Sequence, residues 1–171
     1  MSAGEIKNKG EVLFGLPPFV PEAPRLLILG SMPSEASLEA GFYYAHPRNR
    51  FFKILGDYAG QSAQSVSERQ ALLCRLRIAL FDVIASCRRQ GSLDSAIRDP
   101  VPNDIALFLK EHPGVKAVIT NGGLSKKLFL KYNKVQGIKI FHLPSTSPAN
   151  AGWPLKRLES EYFKALDETL A

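Results

Sequence analysis

The sequence contains few of the residues that bind metals or form disulfides. Its 171 residues include only two cysteines, Cys74 and Cys87, and three histidines. The two cysteines follow no metal-ligand spacing, which excludes a four-cysteine iron–sulfur cluster and argues against a structural zinc site. We therefore expect two buried, unpaired thiols and no bound metal.

Long apolar runs are also absent. No stretch approaches the ~20 consecutive apolar residues that a membrane-spanning helix needs. Lys7 and Lys9 lie near the N-terminus, but no apolar segment of the signal-peptide kind follows them. These features predict a cytoplasmic protein with no membrane partner.

The length suits one domain. We predict an extended lead-in over residues 1–24, because Gly15–Pro21 is too rich in proline for a helix or a central strand. Residues 25–171 are predicted to form a single domain, since no linker, repeat or low-complexity segment interrupts them.

Short apolar runs alternate with amphipathic segments along this domain. We predict strands at 26–29, 78–81, 115–120 and 138–143, and helices at 34–40, 50–58, 66–76, 82–89, 105–109, 124–132 and 155–170. Strands that alternate with helices favour a parallel sheet covered on both faces. The expected fold is a three-layer α/β/α domain with a central four-stranded parallel sheet.

Polar residues are concentrated in the segments that follow two of the predicted strands. Gly30–Pro33 directly follows the first strand, and Tyr43–Phe52 brings two tyrosines, a histidine and an asparagine soon after it. Pro144–Asn150 follows the last strand. Ligands of open α/β sheets bind outside the carboxyl ends of the strands, so these loops predict one site closed from two sides.

Basic residues flank both polar loops. The chain has 22 Lys and Arg against 16 Asp and Glu, a formal net charge of +6. Arg48 and Arg50 lie in the first loop, and Lys156 and Arg157 follow the second. This arrangement favours phosphate contacts with a polyanionic partner, although solvated surface charge is the alternative.

Together, Gly30–Pro33, Tyr44–Phe52 and Pro144–Asn150 resemble the uracil-DNA glycosylase superfamily. The similarity is greatest to its hypoxanthine-DNA glycosylase branch (family 6), which is related to the mismatch-specific uracil/thymine glycosylases. The resemblance implies a monofunctional enzyme of base excision repair that turns a deaminated base, chiefly hypoxanthine, out of DNA. It also implies hydrolysis of the N-glycosidic bond without a cofactor, on double-stranded or single-stranded DNA. We take a monomer as the default oligomeric state.

The resemblance assigns catalysis to Asn49, whose amide can hold a base edge and help to fix the attacking water. The alternative role of Asn49 is to cap the helix that follows it. Met32 stands where the mismatch-specific relatives carry a water-positioning asparagine, and a thioether is only a weak hydrogen-bond acceptor. Ser31 is a candidate donor to charge that develops on the leaving base.

The remaining site residues are expected to hold the base or the DNA. The resemblance makes Tyr44 the residue that stacks on the extruded base, and it places Thr146, Ser147 and Pro148 in a minor-groove wedge. His46 either contacts the base or braces the turn before Pro47. The predicted base-binding set is Gly30, Met32, Tyr43, Tyr44, His46 and Ser145, and the predicted DNA-binding set is Arg48, Arg50, Thr146, Ser147, Pro148, Lys156 and Arg157.

Two other functions stay open at this stage. One is a uracil- or mismatch-specific glycosylase, against which Met32 argues. The other is a non-catalytic nucleic-acid-binding domain that keeps the pocket, which the lack of Asp and Glu in both loops favours.

Overall fold

The computed structural model describes residues 10–171, so the part of the predicted lead-in that falls on residues 1–9 lies outside the described residues. The strands are β1 (Val12–Phe14), β2 (Leu26–Gly30), β3 (Ile78–Asp82), β4 (Ile84–Arg88), β5 (Arg98–Pro102), β6 (Ala117–Asn121) and β7 (Lys139–Leu143). The helices are α1 (Glu35–Ala40), α2 (Phe51–Ala59), α3 (Val66–Leu76), α4 (Ile105–Glu111), α5 (Gly123–Tyr132) and α6 (Leu155–Leu170).

The main sheet has four parallel strands in the order β3-β2-β6-β7. Every residue of the two central strands, β2 and β6, is buried. Strands buried on both faces carry near-continuous apolar runs, which is why these segments stood out in the sequence. The predicted four-stranded parallel sheet is confirmed.

Helices cover both faces of this sheet. Alternate residues of β2 point to opposite faces, so Leu26 and Ile28 pack with α2, α3 and α6 in one core. Leu27 and Leu29 pack with α4 and α5 in the other. The predicted three-layer architecture is therefore confirmed.

A second sheet, which the sequence did not predict, lies beside the first. Its three antiparallel strands are in the order β1-β4-β5. The predicted helix over residues 82–89 is wrong, because this segment ends β3 and forms β4. The β-branched Ile84 suits a strand. A short apolar run leaves helix and strand open, and the pairing of β4 with β1 and β5 on its two sides decides for the strand.

Several local predictions can be compared with the structure. Asp104 caps α4, since its side chain accepts from the Leu107 amide. Cys87 is buried as expected, but Cys74 is exposed on α3, so that part of the expectation is wrong. The helices formed by residues 10–171 do not combine the length and apolarity that a bilayer crossing requires.

The parallel topology places four strand ends at one edge of the sheet. The last residues of β2, β3, β6 and β7 are Gly30, Asp82, Asn121 and Leu143. The two predicted polar loops follow the first and the last of these, while the other two ends contribute a carboxyl and an amide side chain. This edge is where the candidate site lies.

Candidate active site

A cavity of about 630 Å³ opens at the carboxyl edge of the main sheet. Both predicted polar loops line it, together with the ends of β3 and β6. The predicted site residues in its wall are Gly30, Ser31, Met32, Tyr43, Tyr44, His46, Asn49, Ser145, Thr146, Ser147 and Pro148. The four predicted basic contacts, Arg48, Arg50, Lys156 and Arg157, lie outside this wall.

The amide of Asn49 is fixed by two hydrogen bonds to its oxygen. Asn49 Oδ1 accepts from the Phe51 backbone amide at 2.9 Å and from the Thr146 hydroxyl at 2.9 Å. The first bond satisfies the first backbone amide of α2, although the N-cap position of this helix is Arg50 and not Asn49. Because the oxygen serves the protein, the Nδ2 amino group is the part of Asn49 left to bind a ligand.

Thr146 and Asn121 hold the side chain of Asn49 in place through further hydrogen bonds. Asn121 Nδ2 donates to Thr146 Oγ1 at 3.1 Å, and Asn121 Oδ1 accepts from the Thr146 amide at 3.0 Å. Thr146 is fully buried. It therefore links β6 to Asn49 and cannot reach a DNA groove, which corrects its assignment to the wedge.

Arg50 joins the two polar loops. Its guanidinium donates to the backbone carbonyls of Ser147 and Asn150, each at 3.0 Å, and to that of Trp153. The Arg50 amide also donates to the Thr146 carbonyl at 3.1 Å. The side chain predicted to contact phosphate instead holds the second loop against the start of α2.

The tyrosines are held by different contacts. Tyr44 has a positive φ of 53°, an uncommon backbone conformation that marks a constrained position. Its ring stacks on Phe51 with centroids 4.1 Å apart, and the residue also lines the cavity. The hydroxyl of Tyr43 donates to the Pro17 carbonyl at 2.8 Å, so Tyr43 anchors the lead-in as well as lining the cavity.

His46 braces the loop before Asn49. Its Nδ1 accepts from the Arg48 amide at 3.1 Å, and its carbonyl accepts from the Asn49 amide at 2.9 Å. These bonds match the bracing role that was weighed against base contact. Arg48 itself is exposed beside the cavity.

Gly30 makes room for a buried carboxyl group. A Cβ atom at Gly30 would lie 2.4 Å from Asp82 Oδ1 and 3.3 Å from the Tyr44 hydroxyl, so no larger residue fits. Asp82 is 4% exposed. Burial raises the pKa of its carboxyl to about 7, with a further increase from Asp94 and an opposing effect from Arg89.

Polar atoms in this corner lack protein partners. Among the described residues, neither Asp82 Oδ2 nor the Tyr44 hydroxyl has a hydrogen-bond partner, although both atoms are buried. Buried polar groups are normally satisfied. Two such atoms in the wall of one cavity are therefore available to a ligand, and the neutral form of Asp82 can both donate and accept.

The segment after β4 supplies a second carboxyl group. Ser31 Oγ donates to Asp94 Oδ1 at 2.8 Å, so the Ser31 hydroxyl proton points at Asp94 and its lone pairs remain to accept. Met32 is buried in the core and lines the cavity with its side chain. Asp94 was not predicted as a site residue, because it begins a short 3₁₀ turn that lies 63 positions along the chain from Ser31.

Two further residues were missed although a signal existed. Asp82 and Asn121 each end a parallel strand, the position that identified the two polar loops. Neither residue was among the predicted site residues. Applying the strand-end rule to all four strands would have placed both in the site.

The basic residues after the second loop lie at the start of α6. Lys156 and Arg157 are exposed, and the Arg157 guanidinium sits over the Trp153 ring at 4.0 Å from its centroid. Trp153 lines the cavity. Among the described residues, no group of three or more His, Cys, Asp or Glu side chains could hold a metal ion.

Comparisons with known proteins agree on one family. The family model described as uracil DNA glycosylase superfamily matches residues 17–170. A hypoxanthine DNA glycosylase from Methanosarcina barkeri is 34% identical over 138 residues, 80% of this chain and 87% of the relative. One of the same name from Methanosarcina acetivorans is 33% identical over 150 residues, 86% of this chain and 94% of the relative.

A solved structure extends this likeness to the fold. The solution NMR structure of a candidate uracil DNA glycosylase from Methanosarcina acetivorans is 31% identical and superposes with a TM-score of 0.76. The match covers 92% of this chain and 99% of that one. The fold that forms the strand-end cavity and the sequence comparisons lead to one conclusion. The chain belongs to the uracil DNA glycosylase superfamily.

Proposed function

We propose that this protein is a monofunctional DNA glycosylase of base excision repair that hydrolyses the N-glycosidic bond of deoxyinosine. The family supports a DNA glycosylase, and both relatives at 33–34% identity are named for hypoxanthine. The proposed substrate is double-stranded DNA in which the damaged nucleotide is turned out of the helix, because a base cannot be reached while stacked. The proposed active form is a monomer.

The observation that carries the proposal is the fixed amide of Asn49 in the cavity wall. Its oxygen is held by the Phe51 amide and the Thr146 hydroxyl, so the orientation of the Nδ2 group is set before any ligand arrives. Preorganised donors of this kind stabilise charge that develops in a transition state. The base leaves carrying negative charge, which such a donor can bind.

Asp82 supports recognition of the base edge. A neutral carboxyl group presents one donor and one acceptor, which complements the adjacent N1–H and O6 groups of hypoxanthine. The raised pKa of Asp82 keeps this neutral form populated near neutrality. Its second oxygen has no hydrogen-bond partner among residues 10–171, and the base would supply one.

Stacking and hydrolysis complete the proposed mechanism. Tyr44 in the cavity wall suits stacking on an extruded base, since base–aromatic stacking contributes about 1–3 kcal/mol per base. None of the described residues that line the cavity is a lysine. Water is therefore the proposed nucleophile, held near Asn49 and Ser31, with no covalent enzyme–sugar intermediate.

A panel of oligonucleotides tests the proposal. Strands carrying deoxyinosine, deoxyuridine, deoxyxanthosine or ethenodeoxycytidine, alone and opposite each normal base, are incubated with excess enzyme and cleaved with alkali to reveal abasic sites. We expect deoxyinosine to be cleaved fastest and borohydride to trap no enzyme–DNA adduct. Faster cleavage of deoxyuridine would favour a uracil enzyme instead, and tight binding without abasic product would favour a non-catalytic domain.

A further inference from the structure

Arg89 is a buried arginine that the mechanism described so far does not use. It directly follows β4, and only 6% of its surface is exposed. A guanidinium group stays positively charged in proteins, and it is rarely buried unless a carboxylate pairs with it. Arg89 therefore places a permanent positive charge inside the protein.

The contacts of this guanidinium leave its charge without a direct partner. Nη2 donates to the Pro33 carbonyl at 2.6 Å. Nε and Nη1 are buried and have no hydrogen-bond partner among residues 10–171. No carboxylate of the described residues forms an ion pair with Arg89. Buried donors are normally satisfied, so the position of this side chain calls for a functional reason.

The Pro33 carbonyl belongs to a turn that forms one wall of the cavity, and residues 30–33 all line it. Asp82 approaches the start of the same turn, since a Cβ atom at Gly30 would lie 2.4 Å from Asp82 Oδ1. Arg89 binds the end of the turn. A buried cation and a buried carboxyl group with a free oxygen thus contact the two ends of one short segment.

The groups around Asp82 act on its carboxyl in opposite directions. Burial and repulsion from Asp94 raise its pKa to about 7, and the positive charge of Arg89 opposes them. Tyr43 and Tyr44 also face this carboxyl, but burial raises the pKa of both hydroxyl groups, so the two tyrosines stay neutral. Among these groups, Arg89 is the one that favours the ionised form of Asp82.

We propose that Arg89 is a positioning residue of the glycosylase site, which fixes the turn of residues 30–33 and sets the protonation state in which Asp82 meets the base. The proposal rests on the proposed function, because it uses neutral Asp82 as a group that binds the base. A nearby opposite charge lowers the pKa of a carboxyl by about 1–3 units. Without Arg89, burial would keep Asp82 neutral well above pH 7. With Arg89, the carboxyl titrates close to neutral pH, so base binding responds to pH there.

An NMR titration of the enzyme without DNA tests the effect of the Arg89 charge. The ¹³C-labelled carboxyl carbon of Asp82, identified by its absence in Asp82→Asn, reports the pKa directly. Arg89→Gln removes the charge and keeps an N–H donor, so the pKa of Asp82 should rise by at least about one unit. Arg89→Met is the second neutral variant, for use if Arg89→Gln does not fold. Arg88→Gln is the matched control: the Arg88 side chain is 41% exposed and pairs with Asp99 at the surface, so its loss should leave the Asp82 titration unchanged.

Single-turnover excision of deoxyinosine between pH 6 and 9 tests the consequence for the reaction. A rise of the pKa from about 7 to about 8 increases the neutral fraction of Asp82 at pH 8 about fivefold. The ratio of the Arg89→Gln rate to the wild-type rate should therefore rise by about this factor from pH 6 to pH 8. A purely structural defect would lower the rate by the same factor at every pH. In the Asp82→Asn protein, adding Arg89→Gln should not change the pH dependence, because both substitutions act through one carboxyl group.

An Asp82 titration that is the same in the wild type and in Arg89→Gln would overturn the proposal while leaving the proposed function intact. A raised pKa combined with a rate ratio that does not change with pH would do the same. A wild-type protein that releases no hypoxanthine from DNA would overturn the proposed function, and the role of Arg89 in the reaction with it.

Discussion

Replacing Asp82 by asparagine tests the buried carboxyl group at the end of β3. Burial, reinforced by repulsion from Asp94, raises the pKa of Asp82 from 3.8 to about 7. Between these two pH values the folded state binds more protons than the unfolded state, so stability falls as pH rises through this window. One pKa unit corresponds to about 1.36 kcal/mol, so the ionised carboxylate lowers the free energy of unfolding by about 4 kcal/mol above pH 7.

Asparagine keeps the size of the side chain without the charge. The Asp82→Asn protein should therefore be more stable than the wild type at pH 8, by up to about 4 kcal/mol, and the difference should shrink towards pH 4. Urea unfolding at pH 4, 6 and 8 measures it, followed by circular dichroism and by the fluorescence of the single tryptophan, Trp153.

Asp99→Asn is the control for the general effect of removing a carboxylate. The Asp99 side chain is 80% exposed and forms a surface ion pair with Arg88, and pairs of this kind contribute about 0–1 kcal/mol. Its stability difference from the wild type should stay small at every pH. A difference for Asp82→Asn that does not change with pH would refute the argument that burial keeps this carboxyl neutral.

The same variant also separates recognition from stability. If neutral Asp82 donates to the base, wild-type excision should decline as pH rises above 7, where the donor is lost. Asp82→Asn always carries a donor and should lack that decline. Single-turnover rates from pH 6 to 9 compare the two proteins, and parallel profiles would remove Asp82 from base recognition.

Three further changes test other parts of the site. Asn49→Asp keeps the oxygen that accepts from Phe51 and Thr146 but removes the amino donor. Excision should therefore fall by at least ~100-fold with little change in thermal unfolding. Near-normal turnover would contradict a catalytic role. The triple variant Arg48→Ala, Lys156→Ala, Arg157→Ala should weaken DNA binding equally on all sequences. It should also reduce the slope of log affinity against log salt concentration by about one per residue. An unchanged slope would show that these residues do not contact phosphates. Gly30→Ala forces a Cβ to within 2.4 Å of a carboxyl oxygen and should destabilise the fold by about 1–3 kcal/mol. Gly123→Ala, with no neighbour within 4 Å, is its control in the same melting experiment.

The main sheet could be predicted because its central strands are recognisable from their own residues alone. The runs that form β2 and β6 are apolar throughout, and a strand covered on both faces needs that composition whatever surrounds it. The second sheet could not be predicted in this way. β4 is a strand because β1 and β5 pair with it from either side, and no short window of sequence contains that information.

The same distinction between local and long-range contacts applies to the site residues. Asn49 and Tyr44 could be found because they lie within one stretch of chain that follows a strand. The roles of Thr146 and Arg50 could not, since both depend on bonds to residues about 100 positions away. A polar residue in a loop suggests contact with solvent or DNA until the structure shows which atoms it already binds.

Arg50 also bears on how the enzyme becomes active as it folds. The carbonyls that it binds lie about 100 residues further along the chain, so the cavity closes only after the chain through Trp153 has folded back onto the start of α2. These bonds are separate from the hydrogen bonds of the main sheet, and closing a loop of this length carries an entropy cost that grows slowly with the length. A protein whose sheet has formed can therefore still be inactive, and moderate heating should abolish excision before the main sheet unfolds.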